Sequence, residues 1–414
     1  MAVETVGREK NSVPFVRNLG GVPKDDSSLI RPVKSVSEEA DVFSDSDTLL
    51  HEEFVDLYDW LKPWPLERVL RFSVFNRIKK VLLRLWPDAK IRPFGSLHTG
   101  LFLPTSDIDV LVEDNTLPPD YLERTAKELR SSGMAENIVV VDTASVPIVK
   151  MVDADTEIFL DISFNTAQGL RAADYINEMR ISYPLLEPLV FILKQFLVER
   201  NLNQTFTGGL SSYGLVLLII NFLQIGSSED YRKKTMKEVN MGLVLLKFFQ
   251  FYGQDFNYVK LAIRISDGGS YPLREELRRQ MSRVSGSLLC IEDPLQPEND
   301  IGHSSHNFMC VRQAFEQALW ILSSVFVCAS TGRCKWWSGY KGSLLAFVFV
   351  ISEKHIRYRE WLQGRLLADN APARLSPLIP PEITSPLNWS QLFASAPPPI
   401  IRRQCSYSSA LDLS

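Results

Sequence analysis

The spacing of apolar residues divides the chain into a mixed central part, a helical part and two polar ends. Residues 1–48 contain few aromatic residues and end in an acidic stretch, so they offer too little apolar surface to fold alone. Apolar positions at helical spacing then predict one helix at 50–61 and a second, amphipathic helix over 67–85. Between 90 and 165, short apolar runs alternate with turns, and one helix is predicted near 121–131. This part of the chain is therefore predicted to be a small mixed α/β unit.

From residue 173 onward the pattern is that of helices. Pro188 suits the first turn of one apolar helix, and Ser211 or Ser212 can cap the next, which begins near Tyr213. After residue 369 the chain is rich in proline, as linkers and docking segments are. The pattern predicts an α+β fold of two lobes with a cleft between them. The expected parts are a disordered N-terminal segment, a mixed α/β domain, a helical domain and a flexible tail, at 1–48, 49–172, 173–365 and 366–414.

Composition narrows the class of protein. Two domains are the natural expectation for 414 residues, and 45% hydrophobic residues can form sizeable cores. Five cysteines, an odd number without close pairing, favour a reducing compartment. The first residues lack the apolar core of a secretory signal, and the longest apolar run, at 215–223, is too short to span a bilayer. We therefore expect an intracellular, soluble protein without membrane association.

Two aspartates at the head of a short apolar run carry the clearest chemistry. Asp107 and Asp109 lie two positions apart, and side chains two apart on a strand point to the same face. Asp161 follows in a second strand-like run, and Gly95 with Ser96 forms a small-residue turn before the pair. Like charges on neighbouring strands raise one another's pKa. Divalent cations remove that cost, and Mg²⁺ prefers such oxygen ligands and also binds phosphates.

Each of these motifs is weak by itself. Asp-x-Asp pairs also occur in turns, helix caps and sugar transferases, and a Gly-Ser dipeptide is commoner still. Their combination favours phosphoryl transfer at a two-metal site, where one ion activates an attacking hydroxyl and the other stabilises the leaving pyrophosphate. The Gly-Ser turn would present backbone N–H groups and a hydroxyl to the nucleotide phosphates.

The same residues resemble the signature of the DNA polymerase β-like nucleotidyltransferase superfamily. Over roughly residues 50–361 the chain resembles, more narrowly, the noncanonical poly(A) polymerases of the TRAMP complex. The segments that carry this resemblance are LPTSDIDV (103–110), DISFN (161–165), LKQFLVERNLNQTFTGGLSSYGL (193–215), RISDGGSYP (264–272) and IEDPLQPENDIGHSS (291–305). The resemblance implies a polymerase β-like catalytic domain, a helical PAP-associated central domain and a nucleotide-recognition loop at 291–305.

The resemblance also implies a role for each of the three aspartates and for the Gly-Ser turn. Asp107 and Asp109 would hold both metal ions, and Asp161 would hold the catalytic ion and act on the RNA 3′-hydroxyl. Gly95 and Ser96 would bind the nucleotide phosphates.

Further nucleotide contacts are implied elsewhere. Lys194 matches a family lysine that reaches the triphosphate, although a lysine at a helix edge often just extends to solvent. Ser211, Ser212 and Tyr213 match a block in which a serine binds phosphate and the tyrosine stacks on the base; a capped helix with a core tyrosine is the alternative. Asn165 matches the residue that contacts the ribose hydroxyls, and is otherwise an ordinary asparagine at a strand end.

The recognition loop bears on base choice. Asn299 and Asp300 are the predicted base-contacting pair, and uridylyl-adding relatives have His where this chain has Asn299. An amide both donates and accepts, as the adenine edge requires, so Asn299 favours ATP. The chain departs from the family at His303, where close relatives have Arg, and at His306, where Tyr is common. These two histidines with Cys310 would make only an incomplete zinc set.

Two further departures affect the helical part. Val198 stands where uridylyltransferases often have a second lysine. The stretch 328–352 fits the family only loosely and ends apolar where relatives are basic and polar.

Together these observations predict a template-independent RNA 3′-terminal adenylyltransferase that uses ATP and Mg²⁺, which Mn²⁺ can replace. A net charge of −4 disfavours RNA binding, so affinity must come from local basic residues or a partner. The resemblance implies RNA 3′ ends as substrate, a zinc-knuckle RNA-binding protein and an RNA helicase as partners, and RNA surveillance and processing in the nucleus, with the cytoplasm as a second location. A uridylyl- or mixed-nucleotide transferase and an inactive scaffold are the alternatives.

Overall fold

The computed structural model describes residues 45–142, 146–166, 168–226, 229–281, 286–331 and 343–368. Most of the predicted N-terminal segment, the Pro-rich tail after 368 and the centre of the 328–352 stretch lie outside these ranges. The first helix begins at Asp45, inside the predicted 1–48 segment, and the last ends at Ala368, inside the predicted tail. None of the described helices is both long enough and apolar enough to cross a bilayer.

The described elements fall into helices and strands close to those predicted. The helices are α1 (Asp45–Leu61), α2 (Pro65–Leu85), α3 (Gly95–Thr99), α4 (Tyr121–Ser131), α5 (Gln168–Ser182), α6 (Leu186–Val198), α7 (Ser212–Ile225), α8 (Met241–Gln250), α9 (Arg274–Gln280), α10 (Phe308–Thr331) and α11 (Glu353–Ala368). The strands are β1 (Lys90–Phe94), β2 (Ile108–Glu113), β3 (Ala135–Val141), β4 (Ile148–Asp153), β5 (Phe159–Phe164), β6 (Glu292–Asp293) and β7 (Gln296–Asp300).

Five strands form one mixed sheet in the order β1-β2-β5-β4-β3. The central pair, β2 and β5, is parallel, and the other pairs are antiparallel. Apolar side chains of the strands pack beneath α2 and α4 in a buried cluster that includes Ile78, Val110, Leu129 and Ile162. This sheet is the small mixed α/β unit that the pattern of the sequence predicts.

A second buried cluster is built from helices. Its centre is aromatic, with Phe196, Phe222, Phe248 and Phe315 all fully buried. The α+β fold class is therefore confirmed. The position of α1 differs from the expectation, because α1 packs in this helical cluster and not against the sheet of the domain predicted at 49–172. Its contact with α8 is close: a Cβ on Gly242 of α8 would lie only 2.6 Å from Leu50.

The segment 293–305, predicted as a loop, has regular structure. β6 and β7 pair as a short antiparallel hairpin, and Ile301–Ser304 forms a 3-10 turn. Neither of the two strands contains a β-branched residue, so local propensity does not predict the hairpin. Tertiary hydrogen bonds hold it instead, because Asp300 Oδ1 accepts from Ile291 N at 3.0 Å and from Gly302 N at 2.8 Å.

Candidate active site

The sheet register places the predicted catalytic aspartates together. Asp109 on β2 is the direct neighbour of Asp161 on β5, and Asp107 immediately precedes β2. Gly95 opens α3 above them with φ at +57°, and a Cβ there would lie 2.3 Å from Asp109 Oδ2. Only glycine allows both this backbone conformation and this close approach.

The electrostatics of the group are unfavourable without a counter-charge. Burial beneath α3 raises the pKa of Asp109 to about 7, and the charges of Asp161 and Asp107 add to the effect. Asp107 keeps contact with solvent, yet partial burial of its carboxyl raises its pKa, and the charge of Asp161 raises it further. The Ser96 N–H hydrogen-bonds Asp109 and partly offsets the rise in its pKa. A cation near these carboxylates would relieve the repulsion.

The donor set suits Mg²⁺, since Asp109 and Asp161 present carboxylate oxygens from adjacent strands and Asp107 adds a third carboxylate just before β2. The third carboxylate is engaged elsewhere, because Asp161 forms an ion pair with Lys150 of β4, its antiparallel neighbour. Across the described part of the chain, no three His, Cys, Asp or Glu side chains are arranged to ligate one ion. The residues fit the cation in chemistry, and completing its site requires Asp161 to exchange Lys150 for the ion.

Arg71 supports the aspartate loop and is a residue that the sequence analysis missed. Its guanidinium is 1% exposed and donates to Ser106 O at 2.7 Å and to Pro104 O at 2.8 Å. It also lies over the ring of Phe102, 4.7 Å from the centroid. Arg71 therefore fixes the carbonyls of the turn just before Asp107 and brings a positive charge to the aspartates.

Lys194 lies at the junction of the two lobes. It is 7% exposed, and its Nζ donates to Leu101 O at 2.8 Å, so extension into solvent is not its role here. Burial lowers its pKa to about 8, while the nearby Asp109 carboxylate acts in the opposite direction. This lysine lines two adjacent cavities, one on each side of it.

The first cavity, about 330 Å³, gathers several of the predicted nucleotide-binding residues: Gly95, Ser96, Lys194, Ser212, Tyr213 and Asn299. Asp293 connects two of them, since its Oδ1 accepts from the Tyr213 hydroxyl at 3.3 Å and its Oδ2 accepts from Asn299 Nδ2 at 3.1 Å. Asp293 lies inside the predicted nucleotide-recognition loop but was not singled out as a site residue, and Arg171 and Gln168 of α5 were not predicted as part of the site.

The other three predicted nucleotide-binding residues serve the fold. Ser211 caps α7, its Oγ accepting from Gly214 N at 3.0 Å. Asn165 pairs with the backbone of Asp114 through two hydrogen bonds of 2.9 Å. Asp300 holds the turn after β7, as described above. The structure does not bring these side chains into either of the two cavities beside Lys194.

The second cavity, about 720 Å³, contains Asp107 and Asp109. It shares Gly95, Ser96, Lys194, Ser212 and Tyr213 with the first, so the two cavities adjoin along these residues. Its lining also includes the polar residues Thr105, Glu199 and His355. The aspartates therefore face a space large enough for a second substrate beside the nucleotide-sized cavity.

Two family models match the chain. Residues 50–178 match the central palm domain described as "Poly(A) RNA polymerase, mitochondrial-like", and residues 240–299 match the domain described as "Cid1 family poly A polymerase". The first model spans the sheet with its three aspartates, and the second reaches Asn299.

Individual proteins match over most of the described residues. The Poly(A) RNA polymerase gld-4 of Caenorhabditis elegans is 45% identical over 77% of this chain, which spans 39% of the worm protein. The Drosophila melanogaster protein Trf4-2, named an inactive non-canonical poly(A) RNA polymerase, is 36% identical over 76% of each chain. Among solved structures, the polymerase core of TRAMP, an RNA surveillance complex, matches with a TM-score of 0.64 and 30% identity over 74% of this chain and 95% of that one.

Proposed function

Because the chain belongs to the noncanonical poly(A) RNA polymerase family, we propose that it transfers AMP from ATP to the 3′-hydroxyl of RNA and releases pyrophosphate. The observation that carries the proposal is that the cavity lined by Asp107 and Asp109 adjoins the cavity lined by Tyr213 and Asn299, with Ser96 and Lys194 lining both. The chain spans 39% of its worm relative, so the activity is proposed for this chain from its own site.

Asp107, Asp109 and Asp161 would hold Mg²⁺, or Mn²⁺ in its place, and bound divalent ions would supply activation of the RNA hydroxyl and charge neutralisation at the pyrophosphate. The protein's own contribution is position and charge, as in most phosphoryl transfer. Lys194 carries a positive charge below about pH 8 and lies between the aspartates and the nucleotide cavity. The Ser96 region at the start of α3 would contact the phosphates.

Base recognition would fall to Tyr213 and Asn299. The Tyr213 ring supplies a stacking face, which is worth about 1–3 kcal/mol per base but tolerates any base. Asn299 supplies the selective contact, because Asp293 takes one of its amide hydrogens and so fixes the orientation of the amide. A fixed donor and acceptor pair suits the Watson–Crick edge of adenine.

Extension of a labelled oligoadenylate with each nucleoside triphosphate in turn, in Mg²⁺ and in Mn²⁺, tests the proposal. We expect ATP to be preferred and the Asp107→Ala/Asp109→Ala variant to be inactive but folded. Preference for UTP would favour the uridylyl alternative. No extension by the wild type with any nucleotide would favour an inactive scaffold, the state named for the Drosophila relative.

We further propose that RNA 3′ ends reach this site with the help of a basic RNA-binding partner of the zinc-knuckle type and an RNA helicase, in a nuclear surveillance assembly. The similarity to the TRAMP polymerase core and the net charge of −4 support this proposal. The lone chain should bind RNA weakly and with a shallow salt dependence.

A further inference from the structure

His355 connects the last described helix to the loop that precedes Asp107. Its Nε2 lies 2.9 Å from Thr105 Oγ1, and its Nδ1 lies 2.9 Å from Ser352 Oγ. The residue is 1% exposed, and its ring stands edge-on to Trp60 with the centroids 6.5 Å apart. Hydroxyl groups both donate and accept, so a neutral imidazole can satisfy both contacts in either tautomer.

The same imidazole contacts the helical lobe. Glu199 Oε1 lies 3.5 Å from His355 Nδ1 and accepts from Gln195 Nε2 at 2.7 Å. Gln195 also donates to Val350 O at 3.1 Å, which fastens the segment before α11 to the end of α6. Since α6 carries Lys194, His355 lies between the loop of the aspartates and the helix of the lysine.

The loop that precedes Asp107 is a turn held rigid by hydrogen bonds. Ser106 N donates to Leu103 O and Leu103 N donates to Ser106 Oγ, both at 2.9 Å, while Arg71 binds its carbonyls. A displacement of Thr105 would therefore also displace Asp107, which lies two residues later in the chain. Thr105, Asp107 and His355 all line the larger cavity.

We propose that His355 is a positioning residue that holds the Thr105 loop at a fixed distance from α6, and so sets the aspartates against Lys194. The inference rests on the proposed nucleotidyl transfer and deepens it. His355 lines the larger cavity and is not among the residues that line the nucleotide cavity, so its loss should impair the chemical step and leave ATP binding unchanged.

Steady-state kinetics of five variants test the inference. His355→Phe keeps the ring but removes both nitrogens, and Thr105→Val removes the partner hydroxyl at constant size. We expect each to lower kcat about tenfold with KM for ATP within about twofold, because small misplacements of reacting groups cost rate. The double variant should lose no more than His355→Phe alone, since that substitution already breaks the hydrogen bond between Thr105 and His355. His355→Gln and Thr105→Ser, which keep a hydrogen-bonding group, should recover most of the rate.

A matched control is His51, a half-buried histidine of α1 whose Nδ1 accepts from Met241 N at 3.1 Å inside the helical lobe. His51→Phe should lower thermal stability without changing kcat. An unchanged kcat in His355→Phe, or additive losses in the double variant, would overturn the inference.

Hydrogen exchange gives a readout that does not need activity. The amides of Leu103 and Ser106 should exchange about tenfold faster in His355→Phe and in Thr105→Val than in the wild type. If the wild type extends no RNA with any nucleotide, the proposed function fails, and faster exchange at these amides still supports the positioning role. Unchanged exchange would refute that role whatever the activity.

Discussion

Arg359 and Glu67 form an ion pair sealed from solvent, with Nε 2.8 Å from Oε1 and Nη2 3.0 Å from Oε2. The side chains are 3% and 0% exposed, and the guanidinium lies between the rings of Trp60 and Trp64. Glu67 also accepts from Trp64 N at 2.7 Å and so caps α2. The pair joins the last described helix to the start of α2, at the point where the chain crosses from the helical core to the sheet.

Arg359→Met should lower the free energy of unfolding by about 3–5 kcal/mol, because it leaves the Glu67 carboxylate buried without its partner. The measurement is urea-induced unfolding followed by tryptophan fluorescence. Arg357→Met on the same helix is the matched control. Arg357 forms a solvent-exposed ion pair with Glu353, and exposed pairs contribute little to the free energy of unfolding. Equal losses in the two variants would contradict the assigned importance of the buried pair.

Asp109→Asn should stabilise the protein in the absence of divalent cations. The pKa of Asp109 is raised to about 7 from an ordinary value of 3.8, so the folded state disfavours its ionised form. The protonated carboxyl therefore makes its full contribution to the free energy of unfolding below pH 3.8. That contribution is lost as the pH rises through 7. At pH 8 the variant should melt roughly 1–2 °C higher than the wild type, the shift expected for about 1 kcal/mol in a chain of this length, and the difference should vanish near pH 4.

With Mg²⁺ present, the wild type should melt at a higher temperature than Asp109→Asn. Added in millimolar amounts at pH 8, Mg²⁺ should raise the melting temperature of the wild type and not that of Asp109→Asn. Asp88→Asn, a substitution of an exposed aspartate after α2, should leave both behaviours unchanged. If Mg²⁺ left the melting temperature of the wild type unchanged, the result would argue against a metal site at these aspartates.

The rate constant kcat/KM for ATP should fall above about pH 8. Burial lowers the pKa of Lys194 to about 8, so its positive charge is present below that pH and lost above it. Since kcat/KM reports groups of the free enzyme, the fall should be seen in that constant and be absent in Lys194→Met. That variant should be about tenfold to a hundredfold slower at pH 7, the effect of one hydrogen bond to a charged group. A pH profile that is the same in both proteins would show that another group titrates.

Asn299→His should shift the preference from ATP toward UTP by about tenfold to a hundredfold, as loss of a selective buried contact does. The amide is held by Asp293 at the edge of the nucleotide cavity, where an imidazole would present a different donor pattern. The comparison is kcat/KM for the two nucleotides.

His303→Arg is the control for that experiment. His303 is exposed, on the 3-10 turn after β7, and does not line the nucleotide cavity. It should alter RNA contact or overall rate and leave the nucleotide ratio unchanged. A large shift in His303→Arg, or none in Asn299→His, would mean that base selection lies elsewhere.

The sequence is most informative where structure is local. Alternation along β2 is enough to place Asp109 on one face, and the cap on α7 follows from Ser211 and the apolar run after it. That Asp161 is the direct neighbour of Asp109 depends on parallel pairing of two strands separated by the whole of α4, β3 and β4, which local patterning does not specify.

The residues missed from the sequence act over long separations. Arg71 reaches the loop at Ser106 from α2, and Asp293 joins Tyr213 to Asn299 from a hairpin that has little strand propensity of its own. Asn165 carries the family motif, and its side chain pairs with the backbone of Asp114, a contact that the motif does not indicate. Side-chain partners of this kind are set by tertiary packing, and no spacing rule predicts them.

The placement of α1 in the helical core has a practical consequence for dividing the protein. The chain enters the helical core first, leaves it after Leu61 to build the sheet, and returns with α5 and α6. The helical core is thus discontinuous in sequence, and a fragment starting at residue 173 would expose the groove that Leu50 and Phe54 fill. An expression fragment of that core would have to carry residues 45–61 as a tethered or co-expressed peptide.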